Sequence, residues 1–155
     1  MSDSETWIRV AAVGAATGGR SFTPLAMESW AAAHGRLSLG NGVLAPLSNR
    51  NVARLVALSA VGELVADKTS LVPSRTTPGP FAGRLAFGAL AGCVIATAER
   101  RPALAGAAIG AVAAGLSTAL ATHLRQSLVG MGLPDPLVAL GEDLVVLAVS
   151  RAATR

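Results

Sequence analysis

The chain has 155 residues, of which 52% are hydrophobic and only 14% charged, and its net charge is +4. Ordinary soluble domains carry about a quarter charged residues, and aromatic side chains that could fill a large core make up only 3% of this chain. These totals favour an integral membrane protein over the alternative, an unusual soluble helical bundle. The length predicts a single domain over residues 1–155. Scattered basic residues and scarce stacking aromatics argue against a nucleic-acid-binding protein.

The first apolar segment runs from about Ile8 to Ala33 and has a polar interruption in its middle. The segment is long enough to cross a bilayer, which takes about 20 apolar residues. Two glycines before Arg20 and a proline after it weaken the helix there, because glycine is a poor helix former and proline lacks an N–H. One interpretation is a broken helix that places Arg20 and Ser21 in a membrane-embedded site. The other is a helix that ends at this point, with Arg20 reaching the membrane interface.

Apolar segments that follow the first one predict further helices, separated by short polar turns and one longer loop. They cover residues 51–66, 81–98, 103–124 and 137–149. The predicted fold is therefore all-α, a polytopic helical membrane protein of about five segments, some of them short or broken. The Arg and Ala bias is typical of a GC-rich bacterial genome, so we expect a multi-pass protein of the bacterial cytoplasmic (inner) membrane. The lipid bilayer is its principal expected partner.

Two short patterns recur in the same order in the two halves of the chain. Ala-Thr-x-x-Arg occurs at residues 16–20 and 121–125, and Ala-x-Gly-Glu at residues 60–63 and 139–142. If one helix lies between the halves, predicted helix 1 runs opposite to predicted helix 4, and predicted helix 2 runs opposite to predicted helix 5. This arrangement is an inverted-topology repeat, which many secondary transporters have. The alternative is chance, because short matches arise easily in Ala-rich sequence.

Charged residues in or beside the apolar segments form the candidate site. Glu63 and Asp67 are i,i+4 neighbours on one helix face and repel each other unless they share a proton or face a cation. In the pair Glu142 and Asp143, Glu142 is the better inward candidate because it matches Glu63 in the repeat. The alternative is structural, with the charges forming ion pairs that hold the helices in register. The candidate solute- or ion-binding residues are Arg20, Ser21, Glu63, Asp67, Lys68, Arg75, Arg84, Glu142 and Asp143.

The predicted function is transport of a small solute or ion, with Arg20 binding an anionic group or pairing with Glu63. The first alternative is a non-transporting membrane scaffold or partner-binding subunit. A membrane enzyme acting on lipid is the third candidate, and it is disfavoured because the sequence contains no nucleophile–base pair. No metal site and no cofactor are expected, because neither a paired metal-ligand motif nor a nucleotide fingerprint occurs.

Glycine pairs at four-residue spacing predict close helix contacts, either within one chain or between the two copies of a homodimer. The pairs are at positions 14 and 18, 88 and 92, and 106 and 110. Five spans would place the two termini on opposite sides of the membrane. Counted over those spans, the basic residues favour a cytoplasmic C-terminus.

Two longer patterns carry a resemblance to a known family. They are Gly-Gly-Arg-Ser-Phe-Thr-Pro-Leu at residues 18–25, and Gly-Glu-Leu-Val-Ala-Asp-Lys at residues 62–68 followed by Pro-Ser-Arg-Thr-x-Pro at residues 73–78. With Gly83-Arg84 and the late Gly-Glu-Asp, the chain resembles a family of small bacterial integral-membrane proteins that share a domain of unknown function. The resemblance implies a membrane protein of several helices and brings no activity with it.

Overall fold

The computed structural model describes residues 2–66 and 77–155, and every regular element in these ranges is a helix. The all-helical fold class is thereby confirmed. Among these described helices, two are long and apolar enough to cross a membrane, Pro78–Ala98 and Ala103–Gly130. The elements are α1 (Asp3–Gly19), α2 (Phe22–Ala33), a short 3-10 helix (Ala45–Ser48), α3 (Arg50–Ala66), α4 (Pro78–Ala98), α5 (Ala103–Gly130) and α6 (Asp135–Ala153).

Local sequence accounts for several of the helix ends. Ser2 and Glu5 form a capping box at the start of α1, which satisfies backbone N–H groups that have no partner within the helix. Helices α4 and α6 carry proline in their first turn, where the missing N–H costs no helical hydrogen bond. Gly132 adopts a φ of 95° in the turn after α5, a conformation that glycine reaches without steric cost.

The first apolar segment is two helices, because the chain reverses at Arg20 and Ser21. In α1, the Arg9 side chain donates a hydrogen bond of 2.8 Å to the Ala153 carbonyl near the end of α6. The second half of α2 also lies near the end of α6, since Ala31 lines a cavity together with Thr154. The predicted break is confirmed, but the described residues form six α-helices where the sequence predicts five segments. Gly18 and Gly19 let the end of α1 approach Ser117 of α5 and Val146 of α6, because an added Cβ at either position would collide with these side chains.

Helix directions alternate along the chain, so the molecule has two ends. We call residues 18–22 the junction and the end that contains them the junction end. The last turns of α3, the first turns of α4 and the α5–α6 turn also belong to the junction end. The opposite end, the termini end, contains the start of α1, the end of α6, the loop of residues 34–49 and the turn of residues 99–102. Asp3 and Arg101 form an ion pair at the termini end.

The predicted inverted repeat requires helix 1 to run opposite to helix 4, and α1 does not. Gly14 of α1 lies against Gly110 of α5, and Gly18 lies against Thr118, so α1 and α5 run in the same direction. The reason is the reversal at Arg20 and Ser21. Of the two helices that make up the first apolar segment, α2 runs opposite to α5 and α1 does not. The second predicted pair, now α3 and α6, does run in opposite directions.

Glycines bring α1, α4 and α5 into direct backbone contact. A Cβ added to Gly14 would lie 2.5 Å from the Gly110 carbonyl oxygen, and one added to Gly88 would lie 2.7 Å from the same atom. Gly92 and Gly106 face each other with equally little room. The close contacts predicted from the glycine spacing are confirmed, and they lie within one chain. This three-helix seam leads directly up to the junction.

Apolar side chains cover much of the outer surface. Helix α3 packs on α2 and the 3-10 helix, and its opposite side exposes a row of Leu and Val residues. Helix α5 carries a second exposed row at four-residue spacing. Contiguous apolar surface of this extent marks contact with lipid or with another protein. The two rows are Leu55, Leu58, Val61 and Val65 on α3, and Val112, Leu116, Leu120 and Leu124 on α5.

Candidate functional site

A carboxylate from another helix caps the N-terminus of α2. The backbone N–H of Ser21 donates to Glu63 Oε1 at 2.8 Å, and the N–H of Phe22 donates to Glu63 Oε2 at 2.9 Å. Ser21 makes no side-chain capping bond of its own. The first N–H groups of a helix have no intrahelical partner and carry the positive end of its dipole, so an anion is stabilised there. Glu63 thus joins α3 to the junction.

A cation caps the C-terminus of α1 in the complementary way. Arg84 of α4 is 6% exposed, and its Nη1 donates a 2.5 Å hydrogen bond to the Gly18 carbonyl. The Thr118 hydroxyl on α5 donates to the same oxygen at 3.3 Å. The last carbonyls of a helix are its negative end, which favours a guanidinium. Arg84 therefore ties α4 to the junction, with a charge opposite to that of Glu63.

Arg20, between the two helices, points to α6. Its side chain is nearly inaccessible, with 3% exposure for the residue, and its Nε lies 2.7 Å from Asp143 Oδ1. Glu142 lies beside this pair, because a Cβ added to Gly19 would come within 3.3 Å of Glu142 Oε1. Charge-assisted bonds of this length are among the stronger hydrogen bonds in proteins. Helix α6 thus contributes two carboxylates to the junction.

The junction brings together most of the residues that the sequence singles out. Arg20 pairs with Asp143, and Glu142, the inward candidate from the sequence, lies against Gly19 beside that pair. Both oxygens of Glu63 accept bonds from backbone N–H groups next to Arg20. Asp67, Lys68 and Arg75 lie outside the described residues. The candidates that meet at the junction are Arg20, Ser21, Glu63, Arg84, Glu142 and Asp143.

Arg125, the counterpart of Arg20 in the predicted repeat, has its ion pair elsewhere. Its guanidinium bonds both oxygens of Asp135, at 2.7 and 2.8 Å, near the α5–α6 turn. Helix α5 continues past Thr118 as far as Gly130, about 18 Å beyond the junction. Arg125 therefore lies on the part of α5 that extends beyond the junction.

Two polar residues near the core were missed as candidates. Thr118 gives no signal in the sequence, because threonine is common in helices of this composition. Glu28 on α2 does give one, since it is an acid within an apolar helix. Glu28 is 0% exposed, and neither of its carboxylate oxygens has a hydrogen-bond partner. The hydroxyl of Ser150 on α6 is buried without a partner as well.

The chemistry available at the junction is binding and proton transfer. Two helix ends of opposite polarity meet there, with two guanidinium groups and three carboxylates around them. Within residues 2–66 and 77–155, no group of three His, Cys, Asp or Glu side chains is placed to hold a metal ion. From Ala103 to Thr118, α5 rises about 22 Å, so the junction lies that far from the termini end.

Comparison with known proteins gives one match. A family model described as a domain of unknown function (DUF4126) matches residues 8–155. No curated protein and no solved structure matches the chain. The matched range includes the whole of the junction and the helices that form it, apart from residues 3–7 at the start of α1.

Proposed function

The chain belongs to the DUF4126 family of unknown function, and we propose that it is a multi-pass protein of the bacterial cytoplasmic membrane that transports a small ion or solute through the junction. The observation that carries the proposal is the meeting of opposed helix ends inside an apolar bundle. Discontinuous helices of this kind form the substrate and ion sites of many secondary transporters. Here Glu63 accepts hydrogen bonds from backbone N–H groups at the start of α2, and Arg84 donates one to the Gly18 carbonyl at the end of α1.

Membrane placement is supported by the two long apolar helices and by the exposed apolar rows on α3 and α5. A hydrocarbon core about 30 Å thick that begins near Ala103 would enclose the junction. Arginine is concentrated at the termini end, which we therefore assign to the cytoplasm by the positive-inside rule. A homodimer stays a prediction. In the described part of the chain, the arginines at the termini end are Arg9, Arg36, Arg50, Arg54, Arg100, Arg101, Arg151 and Arg155, and those toward the other end are Arg20, Arg84 and Arg125.

Glu63 is the exchangeable group in this mechanism. Its carboxylate acts as an internal anion on the N–H groups of Ser21 and Phe22. When Glu63 takes up a proton, its hold on these groups weakens, since a neutral carboxyl is a poorer acceptor than a carboxylate. A substrate anion then binds the N–H groups, and Arg20 turns from Asp143 to the substrate. Loss of the proton restores Glu63 and expels the substrate.

Flux in proteoliposomes tests the proposal. Purified protein is reconstituted, and uptake of labelled inorganic and organic anions is measured under an imposed pH gradient. We expect gradient-dependent uptake of at least one of them by the wild type, and at least a tenfold loss in Glu63→Gln and Arg20→Ala. Such losses are typical when a buried charged contact worth about 1.4 kcal/mol or more is removed. The control is Arg125→Ala, which removes an exposed pair outside the junction.

Unchanged flux in Glu63→Gln and Arg20→Ala protein that is folded would remove the junction as the transport site. Folding is checked by size-exclusion chromatography and circular dichroism before reconstitution. Loss of flux in Arg125→Ala to the same extent would also contradict the assignment, because it would show that the assay reports general damage.

A membrane scaffold is the second candidate, and one observation favours it. The junction charges described above have partners within the chain. Arg20 pairs with Asp143, Glu63 accepts hydrogen bonds from backbone N–H groups, and Arg84 donates one to a backbone carbonyl. When all the charges in an interior are paired, their role can be purely structural, which here is to fix the turn between α1 and α2. This alternative predicts that the wild type transports none of the anions, while the junction variants lose stability alone.

A further inference from the structure

A cavity at the termini end is surrounded by arginine and lies well away from the junction. It has a volume of about 340 Å³ between the end of α2, the residues that follow it and the end of α6. Among the described residues that line it, three are arginines and none is acidic. The lining residues are Met27, Trp30, Ala31, Arg36, Arg151, Thr154 and Arg155.

The arginines of this cavity carry uncompensated charge. Arg36, Arg151 and Arg155 are all exposed, and within the described ranges none of them forms an ion pair. Structural arginines in this chain behave differently, since Arg20 and Arg101 are each bound to a carboxylate. Three like charges around one concave surface repel one another and favour an anion between them. Guanidinium groups match the oxygens of phosphate in pairs, which gives both strength and orientation.

The rest of the lining indicates that the anion has an apolar part. Met27 and Ala31 form an apolar wall on α2, and Trp30 is 46% exposed beside them. Tryptophan is enriched where a membrane meets water, because its ring is apolar and its N–H is polar. Trp30 also lines a second cavity, together with Arg50 and Arg54. Basic pockets between helices on the cytoplasmic side are where phospholipid headgroups bind.

We propose that this cavity binds the phosphate group of an anionic phospholipid, held by Arg36, Arg151 and Arg155 with its glycerol and first acyl carbons against Met27 and Ala31. The choice of a lipid over a soluble phosphate rests on the membrane placement proposed above. It does not depend on transport, so the two proposals can fail separately.

Quenching of Trp30 by brominated lipid tests the site. A Trp7→Phe variant leaves Trp30 as the only tryptophan, and the full chain is reconstituted into phosphatidylcholine vesicles. A small, fixed fraction of the lipid is brominated phosphatidylglycerol in one sample and brominated phosphatidylcholine in the other. We expect stronger quenching by the phosphatidylglycerol. Arg36→Gln and Arg151→Gln should each lower the apparent affinity for phosphatidylglycerol about fivefold, as loss of one basic residue at an anionic surface does.

Arg100→Gln is the matched control, because Arg100 lies at the same end but outside the cavity. It should leave the quenching unchanged, and an equal effect of Arg100→Gln would overturn the site in favour of a diffuse surface charge. Equal quenching by the two brominated lipids would also overturn the proposal. Excess inorganic phosphate distinguishes a phospholipid from a soluble phosphate as the ligand. Failure of phosphate to displace the lipid supports the lipid site. Displacement would overturn the lipid assignment and leave a soluble phosphate as the ligand.

Discussion

Replacing Arg84 with methionine will lower the free energy of unfolding by about 3 kcal/mol, since a buried partner is removed from a charged network. Methionine fills similar volume but leaves the Gly18 carbonyl with only the 3.3 Å bond from Thr118. Loss of the cap should loosen the end of α1 and with it the turn into α2. The measurement is unfolding of the purified protein in detergent, followed by circular dichroism against increasing denaturant.

Arg125→Met is the matched control for this prediction. The same substitution breaks the exposed pair with Asp135, and surface pairs contribute only about 0–1 kcal/mol. Similar stability losses in the two variants would mean that Arg84 does not cap α1 in the folded protein. A large loss for Arg84→Met alone supports the network at the junction.

Gly110→Ala is expected to destabilise the protein by at least about 2 kcal/mol, because overpacking of a tight interface forces backbone shifts. The added Cβ would meet the Gly88 carbonyl group and the Gly92 Cα of α4. Both are backbone atoms, so no side chain can rotate to relieve the collision. Thermal unfolding in detergent measures the effect.

The same substitution at Gly62 should have the opposite sign. A Cβ at this position meets nothing within 4 Å, and alanine is favoured over glycine in a helix by up to about 1 kcal/mol. If both variants are as stable as the wild type, α4 and α5 do not touch through their backbones at Gly110. If both variants lose stability, the loss in Gly110→Ala does not come from the contact between α4 and α5.

Composition and glycine spacing were enough to predict the helical class, the break near Arg20 and the tight helix contacts. Each of these follows from local chemistry, since glycine and proline act on the backbone where they stand. The direction of α2 could not be predicted in this way. Whether a broken helix continues or turns back depends on what lies beside it, and here Leu25 and Ala31 pack into a core formed with distant residues of α4 and α6.

The candidate site was predictable in its members and less so in its pairings. Charges in apolar sequence must find partners, which singled out Arg20, Glu63 and Arg84. Their partners were not predictable, because two of them bond backbone groups exposed by the turn itself. Glu28 obeys the same rule, because it is an acid within an apolar helix. Its lack of a hydrogen-bond partner is visible only in three dimensions.

Cysteine labelling from the two sides of the membrane tests the central claim, that α1 and α2 turn back at a charged junction within the bilayer. In a Cys93→Ala background, single cysteines replace Ser4, Val43, Met131 and Arg155, all of them exposed. A membrane-impermeant maleimide is applied to intact cells and to inverted vesicles. The fold predicts that positions 4, 43 and 155 react from the cytoplasmic side and position 131 from the other. Reaction of positions 4 and 155 from opposite sides would contradict the reversal at Arg20 and Ser21.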